Sequence, residues 1–272
     1  MPEPVWHQSN VAFADWASAE PTALTHLAPQ LRAAVAEGTI AAWFFIRKHP
    51  CWRIRYQLST TGRDPLPAAL DALTAQGHIT GWTRAVYEPE THAFGGPQAM
   101  DGAHRLFHHD SRGLTLHLQH DTSHRSETSL LMCGLMMRSA GLDWYEQGDV
   151  WARVSAHRPL PDAASATRHE AAVHRLITVG TEELLRPGAD LARLADWAQG
   201  YINAGTDLRR LAATGHLHRG LRDVLAHHVL FAWNRAGLPH AAQAALSCAA
   251  RTVVFGPDPT TAQRNQPHAG TA

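Results

Sequence analysis

Apolar and polar side chains alternate along CWRIRYQL, residues 51–58, which predicts a strand. Trp52, Ile54 and Tyr56 point to one face and Arg53 and Arg55 to the other, because side chains in a strand repeat every second residue. Two like charges side by side on a sheet repel, so an anion is expected between them. That anion is either a structural carboxylate or a substrate.

The flanking segments extend the pattern. Residues 4–14 (PVWHQSNVAFA) read as a strand, and 15–38 as a helix that Asp15 or Ser18 can cap and Gly38 stops. TIAAWFFIRK (39–48) is an aromatic-rich strand, joined to 51–58 through His49-Pro50 as a hairpin. Residues 64–77 predict a helix and 78–87 a further strand. The order is strand, helix, strand, strand, helix, strand, a ferredoxin-like βαββαβ unit over 4–87.

From Gly95 the pattern turns helical. Helices are predicted over 95–113, where Pro97 suits a first turn, over 125–141 with a Ser126–Ser129 capping region, and over 142–158. A loop follows over 159–168, then several helices to 236, with 219–237 the longest of them, and a last helix over 239–252. The expected class is α+β: one domain over 1–255, a sheet part followed by a mostly helical part (95–255), with a polar, disordered tail over 256–272.

Composition narrows the field. Among 272 residues, 44% are apolar and 18% charged, with zero formal net charge, so bulk nucleic-acid binding is not expected. Cys51, Cys133 and Cys248 match no metal spacing and fit a reducing compartment. The N-terminus lacks a secretory pattern, and the most apolar helical stretch (129–141) is too short for a bilayer. A cytoplasmic location without membrane contact is expected. GxGxxG, Walker, GxSxG and CxxC motifs are absent, which leaves nucleotide cofactors and serine-hydrolase chemistry without support.

Candidate chemistry gathers in three places. Arg53 and Arg55 form either a carboxylate clamp or a solvent-facing pair. In YEPETHAFGG (87–96), Glu88 and Glu90 are acids, bases or partners for those arginines, or a plain acidic turn before a helix. His104 and His108 stand one helical turn apart, a spacing that can hold a metal, but they read as a solvated histidine face beside His109 and Asp110. Of His227 and His228, one must face the apolar side, and either is a candidate general base.

Taken together, WFFIRKHPCWRIR, AVYEPETHAFGGPQAMDGAHRLFHHDS and VLFAWNRAGL resemble the thiopeptide-type bacteriocin biosynthesis domain, which is also the C-terminal elimination domain of lantibiotic dehydratases. The resemblance spans residues 5–255. It implies work on a ribosomal precursor peptide that carries a leader. The activity implied is expulsion of glutamate from glutamylated Ser or Thr to give dehydroalanine or dehydrobutyrine. Such a glutamate-eliminating lyase needs no metal or organic cofactor. It relies on a separate glutamyl-tRNA-dependent glutamylating protein as partner, and a homodimer is left open. Alternatives within the resemblance are a formal [4+2] aza-cycloaddition that forms a pyridine and releases the leader, and a non-catalytic leader binder.

The resemblance assigns the clamp to Arg53 and Arg55, a catalytic role to Glu90, and substrate binding to Asn234 and Arg235. Two departures stand out. Ala93 occupies a position where nisin-type enzymes carry Arg, and Leu230 and Ala232 replace two histidines. His227 or His228, about one turn upstream, is left to supply the base.

Overall fold

The computed structural model describes residues 5–59, 64–159, 164–180, 185–189 and 191–256. The tail expected to be disordered, beyond Gly256, lies outside the described residues.

The first part is the expected α/β unit. Strand β1 (Trp6–Ala12) leads through α1 (Trp16–Thr22), a π-helical turn (Ala23–Leu27) and α2 (Ala28–Ala36) into β2 (Ile40–Lys48). Asp15 caps α1 by accepting from the Ser18 amide at 2.8 Å. The single helix expected over 15–38 is thus interrupted. Pro21 and Pro29 each withhold a backbone donor there, and the chain widens into the π turn between them. Strand β3 (Cys51–Leu58), α3 (Leu66–Ala75) and β4 (Gly81–Ala85) complete the unit. The sheet order is β2-β3-β1-β4 with every pair antiparallel, the ferredoxin-like arrangement.

The sheet buries both faces. On one, Trp43, Phe45, Trp52, Ile54 and Tyr56 join Leu31 and Leu70 of the covering helices in the main core. On the other, Phe44 forms a smaller cluster with Phe94, Met100, Ala103 and Phe107. Arg53 and Arg55 share this second face, since Arg55 pairs with Phe44 and Gln8, and Arg53 with Ile46 and Asn10.

The remainder is helical: α4 (Pro97–His120), α5 (Arg125–Ser139), α6 (Trp144–His157), α7 (Ala164–Thr178), α8 (Ala195–Ala213), α9 (Leu221–Ala236) and α10 (His240–Phe255). Helix α4 runs past Gly113, where it was expected to stop. That glycine serves packing instead: a Cβ there would lie 2.2 Å from Cγ of Trp197 on α8. The start of α5 falls at His124 with no side-chain cap, so the Ser126–Ser129 capping expectation is corrected. Helix α6 carries a reciprocal capping box between Asp143 and Glu146. Helix α7 begins at Ala164, inside the segment expected to be loop.

Helix α4 lies along the edge of β2. His108 Nδ1 lies 3.1 Å from the Trp43 amide, and the Ser111 hydroxyl accepts from the Phe45 amide at 3.4 Å. Arg47 of β2 donates to the carbonyl of Arg235 (2.8 Å) and pairs with Glu20, which Arg125 also holds at 2.7 Å. These contacts fix the sheet against α4, α5 and α9. No helix among the described residues is long and apolar enough to cross a membrane.

Candidate active site

Arg55 is aimed by neutral groups. Its Nε donates to Oε1 of Gln8 at 2.8 Å, and Nε2 of Gln8 donates in turn to Oδ1 of Asn10 at 3.0 Å. The guanidinium lies over the ring of Tyr87, 4.3 Å from its centroid, and 5.5 Å from that of Phe44. Burial draws the Arg55 pKa down and neighbouring Arg53 adds to the effect, while Glu90 opposes it. Among the described residues no carboxylate hydrogen-bonds to Arg53 or Arg55. The two cations therefore share one sheet face without a carboxylate hydrogen bond among the described residues.

The segment 87–96 brings Glu90 to the same region. It folds back on itself, with the Phe94 amide donating to the Glu90 carbonyl (3.1 Å) and the Gly96 amide to the Thr91 carbonyl (2.8 Å). It is tied to the start of α9 by the His218 amide on the Gly95 carbonyl (2.9 Å) and by Arg219 on the Ala93 carbonyl (3.0 Å). Gly95 and Gly96 have φ of +92° and +107°, and a Cβ at Gly96 would meet Nδ1 of His218 at 2.8 Å. Only glycine satisfies both the backbone and the approach.

This docking sets Glu90 Oε2 3.0 Å from Nε2 of His227. The hydrogen bond from His227 lowers the Glu90 pKa more than burial raises it, and Arg55 and Lys48 pull in the same direction as His227. Glu90 is thus an ionised, half-exposed carboxylate with a histidine at its back. Phe94, fully buried, sets its edge against His227 at 4.7 Å and His228 at 4.8 Å.

Beneath Arg55, the Tyr87 hydroxyl lies 2.9 Å from Nε2 of His104, and His104 stacks on Trp6 at 4.5 Å. Burial raises the Tyr87 pKa to about 12 and lowers that of His104 to about 4. Both groups are neutral near pH 7.

His104 and His108 do not form the solvated face expected of them. Each turns inward to its own partner, Tyr87 for one and the Trp43 backbone for the other. Burial lowers His108 to about 4 as well. Their side chains serve packing and edge capping rather than a shared ligand.

The structure thus brings together Arg53, Arg55, Glu90 and His227, and sets three other expected residues apart. His228 is buried with both ring nitrogens unpartnered among the described residues, and burial pulls its pKa to about 3. Its ring packs against Phe94 at 4.8 Å and Phe107 at 6.1 Å. Asn234 accepts from Gln243 at 3.0 Å and borders a cavity of about 390 Å³ with Arg47 and Trp52, on the opposite sheet face. Arg235 is 1% exposed, and its Nε donates to Asp110 at 2.6 Å. Asp110 also accepts from Trp197 (2.9 Å) and Tyr201 (2.6 Å), so Arg235 belongs to a buried structural hub. Leu230 and Ala232 are buried apolar positions.

Tyr87, Trp6 and Gln8 were not singled out from the sequence, and His104 was read there only as half of a metal-spaced or solvated histidine pair. The polar residues Gln8 and Asn10 at alternate positions of β1 were the available signal for two of the supports beside the arginine pair.

These features define a two-part unit, a ferredoxin-like sheet docked on a helical bundle, with its polar cluster at the junction. The family model for the lantibiotic biosynthesis dehydratase C-terminal domain matches residues 6–254, and the chain belongs to that family. The structure is similar to the crystal structure of the tRNA dependent lantibiotic dehydratase MibB from Microbispora sp. 107891, with a TM-score of 0.69 and 19% identity over 96% of this chain. It spans 28% of the length of MibB. It is also similar to the crystal structure of TsrL, with a TM-score of 0.63 and 15% identity over 92% of this chain and 94% of TsrL. At these identities the likeness is one of fold. No curated protein sequence matches the chain.

Proposed function

We propose that this chain matures a ribosomally made precursor peptide by expelling glutamate from glutamylated Ser or Thr. The observation that carries the reading is the pairing of two arginines free of carboxylate partners with a Glu90–His227 couple on the same side of the molecule. Arg53 and Arg55 bind the free carboxylate of the glutamyl group, with Arg55 held ready by Gln8 and Tyr87. The Glu90–His227 couple takes the α-proton of the modified residue. The C–H electron pair becomes the second bond of Cα=Cβ, the Cβ–O bond breaks, and glutamate leaves as a carboxylate with the Cβ–O bonding pair. Cationic guanidiniums stabilise the charge that develops there. The redox-neutral step calls for no organic cofactor. It places this chain's step after a step that attaches glutamate from glutamyl-tRNA.

A second reading rests on Leu230 and Ala232, the apolar residues where related elimination domains carry histidines. A pyridine-forming cycloaddition has no glutamate to hold and needs no base at those positions.

Mass spectrometry of a glutamylated peptide incubated with the protein decides between the two. Loss of glutamate with formation of a dehydro residue is the expected result. An unchanged glutamyl peptide, together with ring closure of a peptide that carries two dehydroalanines, would replace elimination by cycloaddition.

A further inference from the structure

A groove of about 330 Å³ lies between Ala41, Ala42 and Gln57 on the sheet side and Asp101 and His104 on α4. Arg55 does not line it, but the groove neighbours the Arg55 fork through shared contacts. His104 lines the groove and also reaches Tyr87, on whose ring Arg55 rests. Trp6, stacked on His104, lines the groove as well.

The groove opens where the edge of β2 loses its cover. His108 and Ser111 sit against the backbone at Trp43 and Phe45. One step earlier the ladder is irregular: Ile40 pairs with Leu58 and Ala42 with Gln57, so Ala41 is a bulged residue without a partner on β3. Ala41 is exposed and lines the groove. An uncovered stretch of edge strand is a site where an extended chain can lie, and small alanine side chains leave room for its backbone. Gln57 on the sheet side and Asp101, His104, Arg105, His108 and His109 on α4 line the groove with hydrogen-bonding groups beside the apolar surface of Trp6, Ala41 and Ala42.

We infer that this groove holds the stretch of substrate peptide next to the residue gripped at Arg53 and Arg55. This rests on the reading that the Arg55 face is the reaction site. The occupant is an extended peptide, and the reacting residue reaches Arg55 past the stacked Trp6 and His104. The groove thereby supplies affinity that the glutamyl group alone does not.

The test compares two synthetic probes by isothermal titration calorimetry. One is a glutamylated serine capped at both ends. The other is a nonapeptide of alanine and glycine with the same glutamylated serine at its centre. The wild type should bind the nonapeptide at least about tenfold more tightly than the capped residue. Ala41→Trp, which fills the groove from the sheet, should erase that gain and leave the capped residue unaffected. Asp101→Trp fills it from the exposed position 101 of α4 and should do the same, which guards against a misfolded first variant. Equal binding of both probes by the wild type, or a gain that survives both variants, overturns the groove. If the wild type ignores both glutamylated probes yet binds the nonapeptide with unmodified serine, and Ala41→Trp abolishes that binding, the glutamate reading fails and the groove stands. Binding of no peptide at all overturns the groove.

Discussion

The Tyr87 hydroxyl meets Nε2 of His104 at 2.9 Å while the ring of the same tyrosine carries the Arg55 guanidinium at 4.3 Å. One side chain thus serves as a platform above and an anchor below. Tyr87→Phe keeps the platform and loses a hydrogen bond, a net change of about 1 kcal/mol. Tyr87→Leu loses both. The expected result is a mild rise in KM for the glutamylated peptide with phenylalanine and a rise of tenfold or more with leucine. Equal KM values for the two variants would show that the ring beneath Arg55 does not hold it.

Arg53→Ala and Arg55→Ala test the grip itself. A charge-assisted hydrogen bond is worth about 1.5–3 kcal/mol, so each change should weaken kcat/KM by roughly 10- to 150-fold. The loss should fall more heavily on glutamylated peptide than on unmodified peptide, because only the former offers a carboxylate. A variant that keeps full elimination activity removes its arginine from the clamp.

Glu90→Gln isolates the charge of the Glu90–His227 couple, since the amide retains a hydrogen-bonding oxygen. Loss of a positioned base typically costs 10²–10⁴ in rate, and kcat rather than KM should carry it. The pH profile adds a second check. The Glu90 pKa is lowered from the ordinary 4.5, so the carboxylate stays ionised until the pH falls below that value. Activity lost to protonation of Glu90 should therefore appear only on the acid side of 4.5. A kcat for Glu90→Gln within twofold of wild type would assign the base elsewhere.

How much of this was readable beforehand follows from the range of each interaction. Strand periodicity alone placed Trp52, Ile54 and Tyr56 inward and Arg53 and Arg55 together, because a two-residue repeat is local. The Glu90–His227 contact joins residues 137 apart, and its partner choice depends on how Phe94 and the Gly95-Gly96 turn dock on α9. From the sequence His227 and His228 were equivalent. The helix then turned one to Glu90 and buried the other. Arg235 looked like a substrate ligand because its motif did, yet Asp110 waits for it 125 positions away in the core. Gly113 looked like a helix stop because the demand of Trp197 for space is invisible in one dimension. Local pattern fixed the sheet and its charged face, while the choice among histidines and arginines was made by tertiary packing.

The Asp110 hub should matter for stability and not for substrate affinity. Asp110→Ala leaves Arg235 buried and unpaired, with the Trp197 and Tyr201 donors also stranded. Breaking a buried ion pair from one side costs about 3–5 kcal/mol. Urea unfolding should show a loss of that size, with KM unchanged in whatever fraction remains folded. A stable variant with a raised KM would return Arg235 to the substrate.

Acid should unfold this protein through its inward-facing histidines. Burial holds His104 and His108 near 4 and His228 near 3, against an ordinary 6.5. Between those values the unfolded chain binds protons that the folded chain refuses, so stability falls as pH drops. The contribution is fully present above about 6.5 and is lost progressively toward 4 for His104 and His108, and further still for His228. Thermal melts at pH 7.5, 6.0 and 5.0 should show a steadily falling midpoint. His228→Leu removes the group whose two nitrogens find no partner and fills the same apolar space beside Phe94. It should be no less stable than wild type at pH 7.5. It should also flatten the pH dependence, by up to about 1.4 kcal/mol per pH unit, the weight of one proton. An unchanged slope in this variant would mean that His228 takes up its proton in the folded state, and that water reaches the interior of α9 beside the candidate site.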